Sequence, residues 1–240
     1  MCAARTRKSR GPAMFAAAID EPLARRRARA RRLSGLYAVT PDLADTADLV
    51  ARVEAALAGG ATAIQYRNKV ADDAMRRVQA GALAAVVSTH GALFIVNDDA
   101  VLAAAVNADG VHVGEDDGSV AAARRVLGPD QFVGVSCYND FARAEAAVAQ
   151  GADYIAFGSF FASGVKPLAR RAHLSLLERA AVLGVPVVAI GGITADNAHL
   201  LVAAGADAVA VITAVFGAPD IPGVLGAARA LAAAASRGAG

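Results

Sequence analysis

The sequence predicts a single-domain α/β protein, a (β/α)8 TIM barrel, on three observations. Short apolar runs alternate with helical patterns from Leu36 onward, several runs are apolar on both faces, and one Gly-containing joint recurs between helix and strand. Strands buried on both faces belong to a parallel sheet covered by helices. Eight βα units in about 205 residues sit at the small end of the barrel's range. A doubly wound open sheet fits less well, because no GxGxxG follows the first strand.

The first run is Leu36-Tyr37-Ala38-Val39, followed by Thr40-Pro41-Asp42. A helix comes next, with apolar residues at Leu49, Val53, Ala56 and Leu57, and it stops at Gly59-Gly60. Steps of three and four are amphipathic helix spacing, and paired glycines are a C-terminal stop. Further strands are predicted to begin near Thr62, Leu93, Gly110, Phe132, Tyr154, Val185 and Ala208, each with a helix after it. That gives eight strands and eight helices. Ala58-Gly59-Gly60-Ala61, Gln150-Gly151-Ala152-Asp153 and Ala204-Gly205-Ala206-Asp207 read as one αβ turn, with Gly accepting positive φ at the helix end. The barrel domain is expected over residues 33–240, with residues 1–32 as a basic extension outside it.

Composition narrows the class. The chain is 56% hydrophobic but only 5% aromatic and lacks Trp, which favours Ala-covered helices on a small-residue sheet and excludes disorder for most of the length. Charged residues or Gly interrupt the apolar stretches before the roughly 20 residues of a membrane span. Residues 1–32 carry ten Lys or Arg against two acids; the remainder carries fourteen against twenty, a net of −6. An acidic body excludes a general nucleic-acid surface there. The head lacks the apolar core of a signal peptide, and Cys2 and Cys137 show no CxxC or zinc spacing. A reducing, cytoplasmic setting is expected. The oligomeric state is open, a homo-oligomer included.

In this fold chemistry sits where strands run into βα loops. Those positions read Gln65-Tyr66-Arg67-Asn68-Lys69, Asn97-Asp98-Asp99, Glu115-Asp116-Asp117, Ser136, Ser163-Gly164-Val165-Lys166, Gly191-Gly192 and Ile212-Thr213. Lys69 and Lys166 are the only lysines after residue 32, against twelve arginines. A Lys in such a chain points to a site that wants a compact ammonium rather than a planar fork. Carboxylates on neighbouring strands can share Mg²⁺, which takes one or two of them plus waters and phosphate oxygens. Helix capping by Asp98, Asp99 and Asp117 is the alternative. Capping leaves the adjacent cations unexplained. Gly191-Gly192 ahead of a helix reads as a phosphate cup, at a strand position where this fold commonly binds phosphate.

These motifs together resemble the thiamine phosphate synthase family. The likeness rests on Gln65-x-Arg67-x-Lys69, Asn97-Asp98, Gly110-Val111-His112-Val113-Gly114 running into Asp117, Gly158 through Lys166, Ile190-Gly191-Gly192-Ile193 and Ile212-Thr213. It covers Leu36 to about Gly217. The resemblance implies coupling of an aminopyrimidine methyl diphosphate to a thiazole phosphate, with release of diphosphate. It implies that Gln65 and Ser136 meet the pyrimidine and its leaving group, and that Arg67, Lys69, Asn97 and Lys166 hold the diphosphate. It further implies Asp98 and Asp117 as Mg²⁺ ligands. Ser163-Gly164-Val165, Gly192, Ile212 and Thr213 would hold the thiazole phosphate. Lys166, Ser136 and Arg67 are the residues expected to carry the chemistry.

Three departures stand out. Val165 replaces a family Thr, and an unreplaced hydrogen bond to phosphate would cost about 1–3 kcal/mol. Thr213 stands for a common Ser, and Glu115 for Gln. His112 is read as a packed strand histidine rather than a base, Cys137 as a buried inert thiol, and Arg124-Arg125 and Arg170-Arg171 as solvated charges. Two rival functions are a thiazole tautomerase of the same fold, which would be active in EDTA, and a non-catalytic regulatory barrel tethered by its basic head.

Overall fold

In the computed structural model, which describes residues 21–114, 118–162 and 171–237, the eight expected strands form and close on themselves. They are β1 (Gly35–Val39), β2 (Ala61–Tyr66), β3 (Leu93–Asn97), β4 (Gly110–Val113), β5 (Phe132–Tyr138), β6 (Tyr154–Gly158), β7 (Val187–Ile190) and β8 (Ala208–Val211). All pair in parallel in chain order, and β8 returns to β1. The helices after them are α2 (Thr46–Ala58), α3 (Asp73–Thr89), α4 (Ala100–Ala105), α5 (Val120–Val126), α6 (Phe141–Ala149), α7 (Ser175–Ala180), α8 (Ala198–Ala203), α9 (Thr213–Phe216) and α10 (Ile221–Ser236). The last strand is thus followed by two helices rather than one.

Strand side chains alternate between two cores, as the period of two requires. Leu36, Ile64, Phe94, Val111, Val133, Ile155, Val187 and Val209 join the larger cluster with the helices. Tyr37, Ala63, Ile95, Phe132, Tyr154, Val188 and Ala210 form a second cluster, the filling of the barrel. Two strand glycines make room for rings there. A Cβ on Gly110 would collide with the Phe132 carbonyl and ring, and one on Gly134 with the Tyr154 ring.

The recurring αβ joint does more than turn the chain. Gly151 and Gly205 take φ of 93° and 104°, where a side chain would be strained. Two residues on, Asp153 accepts the Val133 N–H (2.8 Å) and Asp207 accepts the Val187 N–H (2.7 Å). Each carboxylate therefore tethers the start of the preceding strand. A further joint with the same Asp tether, beyond the three read from the sequence, went unnoticed because Asn107, at φ 52°, stands in glycine's place; there Asp109 accepts the Phe94 N–H at 2.8 Å.

Part of the segment expected as an extension lies against the barrel. Glu21–Ala30 form a helix, α1, and Ala30 and Leu33 are buried with the barrel filling. The segment's arginines meet acids at the ends where strands begin: Arg25–Asp130 at 2.7 Å, Arg26–Asp153 at 3.6 Å and Arg29–Asp109 at 3.3 Å. Arg124, expected to be solvated, also pairs with Asp153 and donates to the Gln131 carbonyl at 2.6 Å. Burial, with Arg26 alongside, lowers the Arg124 pKa to about 10. Among the described residues no helix is long and apolar enough to cross a membrane.

Candidate active site

The opposite rim of the barrel gathers most of the predicted residues. Arg67 and Lys69 follow β2 in a loop that the β1 loop clamps. The Thr40 hydroxyl accepts from the Arg67 N–H (2.8 Å) and donates to the Arg67 carbonyl (2.9 Å). Asp42 accepts the Lys69 N–H at 2.8 Å and lies 3.3 Å from the Arg67 guanidinium. On the other side the Asn68 amide donates to Gln79 Oε1 and to the Leu43 carbonyl, both at 3.0 Å, while its oxygen accepts from Val70 and Ala71. The Tyr66 hydroxyl donates to the same Gln79 oxygen at 2.9 Å, and burial pushes its pKa up to about 12, so it stays a donor. Two cations are thus presented from an immobilised loop. Thr40, Asp42 and Gln79 were not foreseen, because their partners are distant in sequence.

The β3 end separates two adjacent carboxylates. Asp99 caps α4, accepting the Leu102 N–H at 2.8 Å, and pairs with Arg76 at 3.1 Å. Asp98 caps nothing. It sits at φ 64°, its N–H donating to the His112 carbonyl at 2.7 Å. That left-handed turn, unusual for a residue with a Cβ, swings its carboxylate to Lys69, 3.4 Å away, and to the Asn97 amide, which donates to it. Capping therefore accounts for Asp99, while Asp98 borders the neighbouring cleft. Tyr66, Arg67, Asn68, Lys69, Arg76, Asn97 and Asp98 border a cleft of about 250 Å³. A larger depression of about 500 Å³ by Asn139, Asp140, Glu145 and Arg179 contains none of the predicted residues.

Gln65 and Ser136 come from β2 and β5. Gln65 is buried, and its amide donates to the Tyr37 hydroxyl at 2.8 Å. Ser136 Oγ lies 2.8 Å from His112 Nε2, and its carbonyl accepts from Arg143 at 2.8 Å. The strand register shifts between Ser136 and Tyr138, an irregularity of the sort that re-aims a side chain beside a site. His112 is the packed, hydrogen-bonded strand histidine expected. Cys137 is fully buried, and burial pushes its thiol pKa up to about 12, which suits an inert role.

Gly191 and Gly192 end β7 at φ 105° and 67°. A Cβ on Gly191 would strike Ser159, and one on Gly192 the Phe161–Ala162 backbone, so both glycines are also demanded by the neighbouring loop. The helix expected straight after them begins only at Ala198. Asn197 bridges the gap, accepting from the Thr194 N–H (2.9 Å) and donating to the Gly192 carbonyl (3.2 Å). Ile212 and the exposed Thr213 open the short α9 beside β8. Glu115, Asp117, Ser163, Gly164, Val165, Lys166 and Arg170 lie outside the described residues. Among those described, no three His, Cys, Asp or Glu residues converge as a metal cluster.

The sequence and the fold match those of known proteins. Residues 36–215 match the family model described as thiamine monophosphate synthase. The chain is 55% identical over 189 residues to the thiamine-phosphate synthase of Methylobacillus flagellatus, covering 79% of this chain and 90% of that one. Its identity to the enzyme of Chromobacterium violaceum is 56% over 201 residues, 84% of this chain and 96% of the other. The solved thiamine phosphate pyrophosphorylase of Pyrococcus furiosus superposes with a TM-score of 0.76 at 36% identity, covering 89% of this chain and all of that one. The chain belongs to the thiamine monophosphate synthase family.

Proposed function

We propose that this rim joins 4-amino-2-methyl-5-pyrimidinylmethyl diphosphate to a thiazole phosphate, forming thiamine phosphate and diphosphate. The observation that carries this reading is the convergence of Arg67, Lys69, Asn97 and Asp98 on one cleft, with Gln65 and Ser136 on neighbouring strands. The 4-amino group feeds electrons into the ring, so the CH₂–O bond breaks with its electron pair leaving on the diphosphate. The thiazole nitrogen then attacks the methylene carbon. Arg67, Lys69 and Asn97, with Lys166, hold the diphosphate as its charge grows, and Gln65 and Ser136 orient the pyrimidine. Ser163, Gly164, Val165, Gly192, Ile212 and Thr213 hold the thiazole phosphate, largely through backbone groups. No protein nucleophile is required; positioning and preset charge supply the rate.

Asp98 is suited to a hard divalent cation because its carboxylate is turned away from capping and toward the cleft, and carboxylate oxygen is what Mg²⁺ prefers. Asp98 and Asp117 would hold it, and bound Mg²⁺ would neutralise part of the departing diphosphate's charge. The body of the protein works in the cytoplasm on small molecules, without nucleic acid. Incubation with both phosphorylated halves and Mg²⁺ tests the reading. Thiamine phosphate and diphosphate should appear in equal amounts; aromatisation of a thiazole precursor without diphosphate release would replace it with the tautomerase.

A further inference from the structure

Beneath the rim, five side chains from five strands form one hydrogen-bonded chain through the barrel filling. Gln65 Nε2 donates to Tyr37 Oη at 2.8 Å, Tyr37 Oη lies 3.1 Å from Tyr154 Oη, and Tyr154 Oη lies 2.8 Å from His112 Nδ1. His112 Nε2 then reaches Ser136 Oγ at 2.8 Å. Its two ends are the residues assigned above to the pyrimidine. The fold makes room for it: the Tyr154 ring occupies the space a side chain on Gly134 would fill, and stands edge-on to Tyr37 at 6.5 Å between centroids. Both phenols are fully buried, and burial raises both pKa values, so each carries one proton that must be donated.

Those protons dictate a direction. Tyr37 accepts from Gln65, so its own proton goes to Tyr154. Tyr154 in turn donates to His112 Nδ1, which leaves Nε2–H to donate to Ser136. Turning any single link around strands a buried hydroxyl proton, at a cost of about 1–3 kcal/mol. The chain reverses only as a whole, with the Gln65 amide flipped. We propose that Tyr37, Tyr154 and His112 are positioning residues that couple the polarity of Gln65 to that of Ser136. When Gln65 offers its carbonyl oxygen as acceptor, Ser136 offers its hydroxyl proton as donor. This pair complements a 4-aminopyrimidine, whose amino group donates and whose ring nitrogens accept. A 4-oxopyrimidine, which accepts at position 4 and donates from the adjacent ring nitrogen, is matched only by the fully reversed chain with Gln65 flipped. The direction in the structure, with Gln65 Nε2 on Tyr37, therefore favours the amino ring over the oxo ring, and this rests on the assignment of Gln65 and Ser136 to the pyrimidine.

The test uses binding of unreactive ligands, so that the oxo ring's poorer ionisation does not enter. Dissociation constants are measured on the full chain for the 4-amino and 4-oxo 5-hydroxymethylpyrimidines, in wild type and in Tyr154→Phe, Tyr37→Phe, Ser136→Ala and Gln65→Ala. The phenylalanine variants keep the packed rings and lose only the hydroxyl; either one that retains the wild-type melting profile suffices. The expected result is a preference for the amino ring that falls about tenfold or more when a relay hydroxyl is removed, one unit of 1.4 kcal/mol. An amino-to-oxo ratio that changes in Ser136→Ala or Gln65→Ala but stays within about twofold of wild type in both Phe variants would overturn the relay. A ratio indifferent to all four substitutions would overturn the underlying pyrimidine assignment as well.

Discussion

The two ends of the barrel use the same charged groups to opposite purposes. At the floor, Arg25, Arg26, Arg29 and Arg124 are matched to Asp130, Asp153 and Asp109, and Asp153 is nearly inaccessible. At the rim, Arg67, Lys69 and Asp98 retain access to solvent and surround a cleft. Arginine dominates the floor, where forked donors can serve carboxylates and carbonyls together. Lysine appears only at the rim among the described residues. Both ends carry ion pairs, but those of the floor are packed against strand starts, whereas those of the rim border an open cleft.

Breaking the rim should cost most. Asp98→Ala is expected to lower turnover by about 10²-fold or more, with little change in thiazole phosphate affinity; steady-state kinetics with each substrate varied separate the two effects. Lys166→Arg keeps the charge but replaces a compact ammonium by a fork. Turnover should fall about tenfold or more if geometry matters, and wild-type rates would reduce that lysine's role to charge alone.

The floor should respond in stability rather than chemistry. Asp153→Ala leaves two arginines and the Val133 N–H without their carboxylate. Loss of a buried partner of this kind costs about 3–5 kcal/mol, to be read from denaturant unfolding, while turnover of the folded fraction is unchanged. The smallest effect is expected at Cys137. With its pKa pushed up to about 12 by burial, almost none is thiolate at pH 8, so an alkylating agent should leave its peptide unmodified in the native protein; mass spectrometry reads this directly.

The strands and their ends were legible because apolar runs and the loops after them are local patterns. The predicted starts at Leu93, Gly110, Phe132, Tyr154 and Ala208 coincide with those found. Residues 21–32 misled because a run of arginines looks solvated until its acids, a hundred residues away, are brought beside it. The residue pattern alone left Asp98 and Asp99 both open as caps, and only the family resemblance singled out Asp98; the left-handed turn at Asp98 and the Asp99 cap then set the two apart in the fold. Tyr37 and Tyr154 entered the sequence reading only as members of predicted strands. All four tyrosines lie in strands, so their placement singled out neither, and only the closed barrel joins these two hydroxyls to His112.

Calorimetric titration of inorganic diphosphate, with and without Mg²⁺, tests most directly whether the rim charges exist for a metal-bound diphosphate. Binding should require Mg²⁺ in the wild type, weaken sharply in Asp98→Ala, and persist in Asp153→Ala protein that remains folded. Binding of equal strength in EDTA, or undiminished in Asp98→Ala, would contradict it.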